Sequence, residues 1–432
     1  GFNALNDNTT GGYNTAVGNY ALQTATTANQ NVAVGYAALN LNTTGGNNTS
    51  LGMSSMSANT IGDNNVAVGT SAMSANTEGD ENVVVGTTAL ATNTTGSYNQ
   101  AFGSNALRTN TTANYNIAIG RNTLYSNTTG AYNVGLGSFA LDANTTANAN
   151  VGVGYAALSA NTTGTENVGM GHEVLDANTT GSNNTGIGTY ALGANTTGYS
   201  NTAVGSHCLD ANTTGIGSTG VGFYALSANT SGSATAFGYQ ALLNNTTGAN
   251  TAVGLNTMYA CTTGNYNTAV GQTALELTTT GDNNTAMGLN ALNVNTTGGS
   301  NTGIGRSALA SATTADNNTA VGYDAGGQIT TGPNNVAIGY DSLDGTTTGY
   351  SNVAVGKGTA ASSATGHGQI VIGKDLTGPG DNSFAFGQTA VGRVYNSYAT
   401  NASWTRDSDE RLKQDIQNAT LGLDFINDLR TV

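Results

Sequence analysis

Bulky apolar residues recur in this chain at a strict interval, each followed by glycine: Val34-Gly35, Leu51-Gly52, Val68-Gly69, Phe102-Gly103. That glycine stands at position 1 and at 23 further positions through 387, with twenty intervals of 17 residues, two of 16 and one of 14. A fixed period of this length means one structural unit stacked many times. The residue two before glycine is small (Ala16, Ala33, Ser50, Gly135), and the residue three before is mostly Thr or Val. Alternation with period two predicts a short strand. Its large residue and the Thr/Val partner share one face, and its small residue takes the other. On this reading each coil buries about two large apolar side chains.

Four before glycine the residue is Asn in 19 of 23 complete coils, with Ser218, Ala234, Gln369 and Ser383 as exceptions. After glycine an Ala-Leu pair recurs (Ala38-Leu39, Ala89-Leu90, Ala157-Leu158), with Met56, Met73 and Met258 as volume-preserving variants of the Leu. This predicts a second strand or a half-turn carrying the second core residue. Asn-Thr-Thr-Gly then reads as a turn whose Gly is expected to take φ > 0, although Ala28, Ala113, Ala147 and Ala315 replace it. Equivalent residues stack, so Asn and Thr are expected to form hydrogen-bonded ladders. Seventeen residues accommodate two strands of about five and two turns, a flattened two-sided coil. Twenty-three coils at ~4.8 Å make a rod of about 110 Å.

A strand face restricted to Ala, Gly or Ser suits close approach to a neighbour. The expectation is therefore that identical columns pack along a shared axis, three-fold, with the small-residue face or the Ala of the Ala-Leu pair turned inward. The fold class expected is all-β: a parallel β-roll or β-solenoid of ~17-residue coils packed as a homotrimeric fibre, with a short α-helical C-terminal segment.

Composition narrows the chemistry. Only 10 Lys and Arg against 24 Asp and Glu give a net charge of −14, which argues against a nucleic-acid partner. No apolar run is long enough to insert in a membrane. The chain opens on a repeat glycine, so it is expected to be a segment of a longer array. Cys208 and Cys261 are three coils apart, roughly 14 Å, and are expected to be unpaired and buried. His172, His207 and His367 have no partners at ligand spacing, so neither metal nor cofactor is expected. Asp142, Asp176 and Asp210 occupy one coil position at two-coil spacing, roughly 10 Å, too far to share a proton or an ion. They are expected to be solubilising surface charges. Most Asn-x-Thr sequons are read as structural, because wholesale glycosylation would clash with a stacked ladder.

Asn31-Val32-Ala33-Val34-Gly35 and its variants resemble the head repeats of trimeric autotransporter adhesins. That resemblance implies parallel β-rolls associated as trimers, though the family's usual period is nearer the 14 residues found here between Gly373 and Gly387. The repeat shaft spans 1–387. An aromatic neck, 388–407, follows, with Val394, Tyr395, Tyr398 and Trp404, read as a cap over the last apolar layer. Ser408-Asp409-Glu410-Arg411-Leu412-Lys413 resembles the opening of the intramolecular chaperone, a self-cleaving peptidase, of phage tail fibres and tailspikes. The resemblance implies a cut at Asp407-Ser408, with Ser408 as nucleophile, Lys413 as the assisting base, and Asp407, Asp409 and Arg411 as the surrounding motif. A desolvated Lys of lowered pKa can accept a Ser proton. Residues 408–432 would be the truncated start of that domain, with Leu421, Phe425, Ile426 and Leu429 on one face of a helix capped by Asn418.

The function expected is a homotrimeric fibre shaft, extracellular, on a virus tail or bacterial surface. It would present a surface to an unidentified host receptor or glycan, and its only enzymatic activity would be autoproteolysis. The alternative is a trimeric bacterial adhesin whose rod binds a host or matrix surface directly. A polysaccharide depolymerase tailspike is disfavoured, because no carboxylates pair at glycosidase separation. Ice binding is disfavoured because adjacent Thr side chains point to opposite faces.

Overall fold

Each repeat contributes one strand of three residues, the Thr/Val, the small residue and the large apolar residue before glycine, as in Val32–Val34. The computed structural model describes residues 1–398 and 405–406. These fall into two units, Gly1–Thr297 and Gly298–Val432. In the first, seventeen such strands run from Thr15–Val17 to Thr285–Met287. Neighbours pair in parallel with equivalent positions opposed: Val32 faces Thr49, Ala33 faces Ser50, and Val34 faces Leu51. The register survives the 16-residue coils, where Thr219 opposes Thr235. The main chains of successive coils therefore pair as the period implies, in a β-solenoid.

The expected second strand is not formed. From glycine to the Asn of Asn-Thr-Thr-Gly the chain is a run of turns, with two non-glycine residues per coil at positive φ, such as Ala37 at 55° and Leu39 at 49°. Positive φ costs an L-residue roughly 1–2 kcal/mol. It persists here because it lets the main chain bond along the stack in both directions. Ala37 N–H donates to Asn19 in the coil before (2.9 Å), and Leu39 N–H donates to Ser55 in the coil after (3.1 Å). A half-turn replaces a strand without leaving its polar groups unpaired.

The strand faces are the reverse of expectation. The small residue points into the solenoid: Ala33 and Ala67 are fully buried beside Ala38, Leu39 and Met73. The large residue points out, with Val34 37% and Ile119 42% exposed. The coil is thin, so the inward strand position is mostly Ala, Gly or Ser, with Val84 and Val371 as branched exceptions. Most coils therefore bury a single large apolar side chain, the Leu or Met of the half-turn.

At Gly135, Gly186 and Gly220 on the strand, a residue larger than Ala on the half-turn (Thr123, Val174, Cys208) fills the gap. An added Cβ at Gly220 would meet Cys208 Sγ at 2.5 Å, and one at Gly186 would meet Val174 Cγ2 at 2.8 Å. Cys208 and Cys261 are buried and free. Burial pushes their thiols up to about 12 and about 11 respectively.

Two Asn ladders flank this Ala/Leu core. In one, Asn48 N–H donates to Asn31 Oδ1 (2.9 Å) while Asn48 Nδ2 donates to the Gly62 carbonyl (2.8 Å). In the other, Asn59 Nδ2 donates to Asn42 Oδ1 (2.7 Å) and to Gly62 O (3.0 Å). The Thr ladder runs through the backbone, with Thr43 Oγ1 donating to the Thr60 carbonyl (3.0 Å). Both Asn ladders break where the two 16-residue coils lie. Ala234 has no side-chain amide to offer, and neither side-chain polar atom of Asn229 has a partner.

Glycine is demanded before the half-turn, not in Asn-Thr-Thr-Gly. Gly35 lies at φ +140°, and a Cβ there would meet the Gly52 carbonyl carbon at 2.6 Å. Gly45 is absent from the positive-φ residues, contrary to expectation. Ala28 and Ala113 can therefore stand at its position in other coils.

The second unit repeats the pattern from Thr302–Ile304 to Val353–Val355, then lengthens its strands to Ile370–Lys374 and Ser383–Gln388. Gly392–Ser397 folds back antiparallel on Ser383–Gln388, placing Tyr395 opposite Ala385 and against Val371 and Leu376. The returning strand occupies a sheet edge that would otherwise be open to pairing. Val394 and Tyr395, expected in a neck, thus belong to the last hairpin, while Tyr398 is exposed. Trp404 and the helix expected after Asn418 lie outside the described residues.

Candidate functional site

Asp407, Ser408, Asp409, Arg411 and Lys413 lie outside the described residues, so no geometry bears on the autocleavage reading. Within the first unit, two surfaces stand out.

The first is the outer strand face. One large apolar side chain per coil stands on it, and Val34, Leu51, Val85, Ile119, Met170 and Ile187 are each more than a third exposed. In many coils the residue just past glycine is also apolar and exposed (Tyr36, Met53, Leu255, Leu289), at the position that Tyr155 and Tyr239 take on the half-turn. Seventeen stacked strands make this stripe roughly 80 Å long. Contiguous apolar surface on that scale marks an interaction site.

The second lies on the half-turn. Rings occupy the first or second position after glycine in seven successive coils and contact one another from Phe139 to Tyr239. Phe139 meets Tyr155 edge-on at 5.9 Å, Tyr155 stacks on His172 at 5.3 Å, and His172 meets Tyr190 edge-on at 5.8 Å. Tyr190 stacks on His207 at 5.2 Å, and His207 on Tyr224 at 4.9 Å. Phe223 lies edge-on to Tyr224 at 4.4 Å and stacks on Tyr239 at 5.6 Å. Arg121 sits over Phe139, 5.6 Å from its centroid, at one end. Offset and edge-on ring pairs contribute about 0.5–1.5 kcal/mol beyond burial, so the row is also a stabilising element.

No family model matches the chain, and no curated protein matches it.

The half-turn carries clefts beside the rings. One of about 340 Å³ is lined by Asp176, Tyr190, Gly193, Ala194, His207 and Asp210. A second, of about 370 Å³, lies against Phe139, Asp142 and Tyr155, and a third, of about 270 Å³, against Tyr224 and Gln240. Asp142 and Asp176 are half-buried, and loss of solvent pushes both carboxyls above the ordinary carboxylate range. His207 Nδ1 lies 3.3 Å from Asp210 Oδ2, and His172 Nδ1 lies 4.0 Å from Glu173. The histidines expected to stand without carboxylate partners therefore have them. Among the described residues, no three His, Cys, Asp or Glu side chains cluster so as to hold a metal ion. No helix there is long and apolar enough to cross a membrane.

The regular spacing of Asp142, Asp176 and Asp210 is visible in sequence, but the ring row beside them went unread. Aligning the coils on the repeat glycine reveals it: every coil beginning at a glycine from 137 to 238 has Phe, Tyr or His at its first or second position.

Proposed function

We propose that this chain forms a homotrimeric fibre shaft on a virus tail or a bacterial surface. The observation that carries the reading is the outward apolar stripe of the strand face. A monomer would leave Val34, Ile119 and their equivalents in water, coil after coil. Covering each contributes on the order of 1 kcal/mol, summed over the length of the stack. The face that meets sister chains is thus the large-residue face, not the small-residue face the sequence suggested. The stacked main-chain bonds and Asn ladders support a stiff, protease-resistant shaft, and the shaft presents an adhesive or receptor-binding surface outward. The segment from Ser408 assembles the trimer and cuts itself before Ser408, on the resemblance of its motif.

Sedimentation equilibrium tests the assembly. The chain is expected at three times its monomer mass. Val85→Asp/Ile119→Asp/Met170→Asp is expected at monomer mass with unchanged circular dichroism, because all three side chains point outward. A parent chain that stays monomeric at micromolar concentration sinks the reading. Intact mass reports cleavage: loss of 408–432 is expected, and Ser408→Ala should retain it.

A further inference from the structure

We propose that the ring-lined turn face between Phe139 and Tyr239 binds an extended oligosaccharide without acidic groups, either neutral or amino-substituted. Three observations converge on this class of ligand.

The first is spacing. Asp142, Asp176 and Asp210 recur every second coil, roughly 10 Å apart. That is close to the length of one disaccharide in an extended β-linked chain. The same position holds Ser159 and Gly193 in the coils between them and Ser227 in the coil after Asp210, which leaves room beside each carboxylate. Gly193 lies in the lining of the cleft that Asp176 and Asp210 share.

The second is wall chemistry. Each cleft has a ring on one side: Tyr155, Tyr190 or Tyr224. Rings give the C–H faces of a sugar an apolar surface, and carboxylates give its hydroxyls partners. The clefts form a row, as a polymer needs, and none is deep enough to enclose a compact ligand.

The third is exclusion. No Lys or Arg lines any of the three clefts. An acidic sugar would meet Asp142, Asp176 and Asp210 along the row, with Arg121 over Phe139 only at one end and the His207 ring already set against Asp210. A peptide added as a strand would need free main-chain donors and acceptors, and those of the half-turn are used between coils, as Tyr190 N–H is on His172 and His207 N–H on Thr189.

The inference does not depend on the trimer. The stripe-substituted variant above is expected to bind as the parent does, so the two readings fail separately.

Titration calorimetry of the full chain with cellohexaose, a glucosamine hexamer and hexagalacturonate tests it. At least one of the first two is expected to bind, and hexagalacturonate is not. Tyr190→Ala and Asp176→Asn should each weaken binding about tenfold. Tyr190→Phe should retain it, which separates loss of the ring from loss of the fold. Tyr115→Ala, in the separate ring stack of Tyr98, Tyr115 and Tyr132, should leave binding unchanged. Binding of hexagalacturonate as tight as that of the other two, no binding of either at millimolar concentration, or unchanged affinity in both row variants would each overturn the proposal.

Discussion

Asn99 donates its main-chain N–H to the side-chain oxygen of Asn82 at 2.9 Å, and its own side chain repeats the gesture to the next coil. Its Nδ2 holds the Ala113 carbonyl at 2.9 Å, and its Oδ1 accepts from Asn116 N–H at 3.0 Å. Asn99→Ala strands the buried Asn116 N–H, a group worth about 1–3 kcal/mol when left unpaired, while the Ala113 carbonyl keeps Asn110 Nδ2 at 3.1 Å. A loss of about 1–3 kcal/mol is expected in guanidinium denaturation. Hydrogen exchange at Asn116 should accelerate while distant coils keep their protection, since a repeat array couples mainly to its neighbours.

Cys208 and Gly220 divide one volume between them. Gly220→Ala puts a methyl where Cys208 Sγ sits, and overpacking of this kind costs about 1–3 kcal/mol. Cys208→Ala in the same chain should recover most of that loss. The double-mutant cycle measures the coupling, and additive effects would contradict the shared volume. With its thiol pushed up to about 12, Cys208 should resist iodoacetamide at pH 8 in the native protein and react fully in 6 M guanidinium.

Two glycines of one coil should answer differently to alanine. Gly86, at φ +148° with the Gly103 carbonyl carbon 2.6 Å from an added Cβ, should lose more than about 3 kcal/mol. Gly79, which is not at positive φ, takes the position that Ala28 and Ala113 occupy elsewhere, but an added Cβ would press on the Gly96 carbonyl oxygen and meet Asn76 Oδ1 at 2.5 Å. Its substitution should cost about 1–3 kcal/mol as these neighbours give way, less than that of Gly86. Thermal melts of the pair decide it.

Burial holds the Asp142 and Asp176 carboxyls above the ordinary carboxylate pKa in the folded state. Below the unfolded pKa both states are protonated and neither carboxyl carries a penalty. As pH rises through the folded pKa, the stability that the neutral form contributes is lost, because the unfolded chain releases the protons more readily. Asp142→Asn/Asp176→Asn should therefore stabilise the chain at pH 7 and leave it unchanged at pH 3. A gain of the same size at both pH values would rule this out.

The period, the position of the strand before glycine, the parallel register and the Asn ladders were legible because each depends on one residue type at one spacing; the repeat strand is three residues long where about five were expected. The direction of the strand was not. Ala33 and Val34 alternate equally well whichever face is buried, and only the width of the coil decides. The half-turn was obscured because Leu39 in a left-handed conformation contradicts its local preference, and bonds to coils on both sides impose it. The ring row escaped because Tyr155 and His172 use the first position after glycine while Tyr190 and His207 use the second. Their contact depends on how the half-turn places the two.

Near-identical coils face a counting problem: a chain that skips one and pairs with the next would still find Asn above Asn and Leu above Leu. The two short coils between Gly222 and Gly254 give the array a landmark. There the side-chain amides fall out of line, and an offset copy would set a full-length coil against a shortened one. The breaks that weaken the stack locally also tell the chain where it is along its own length.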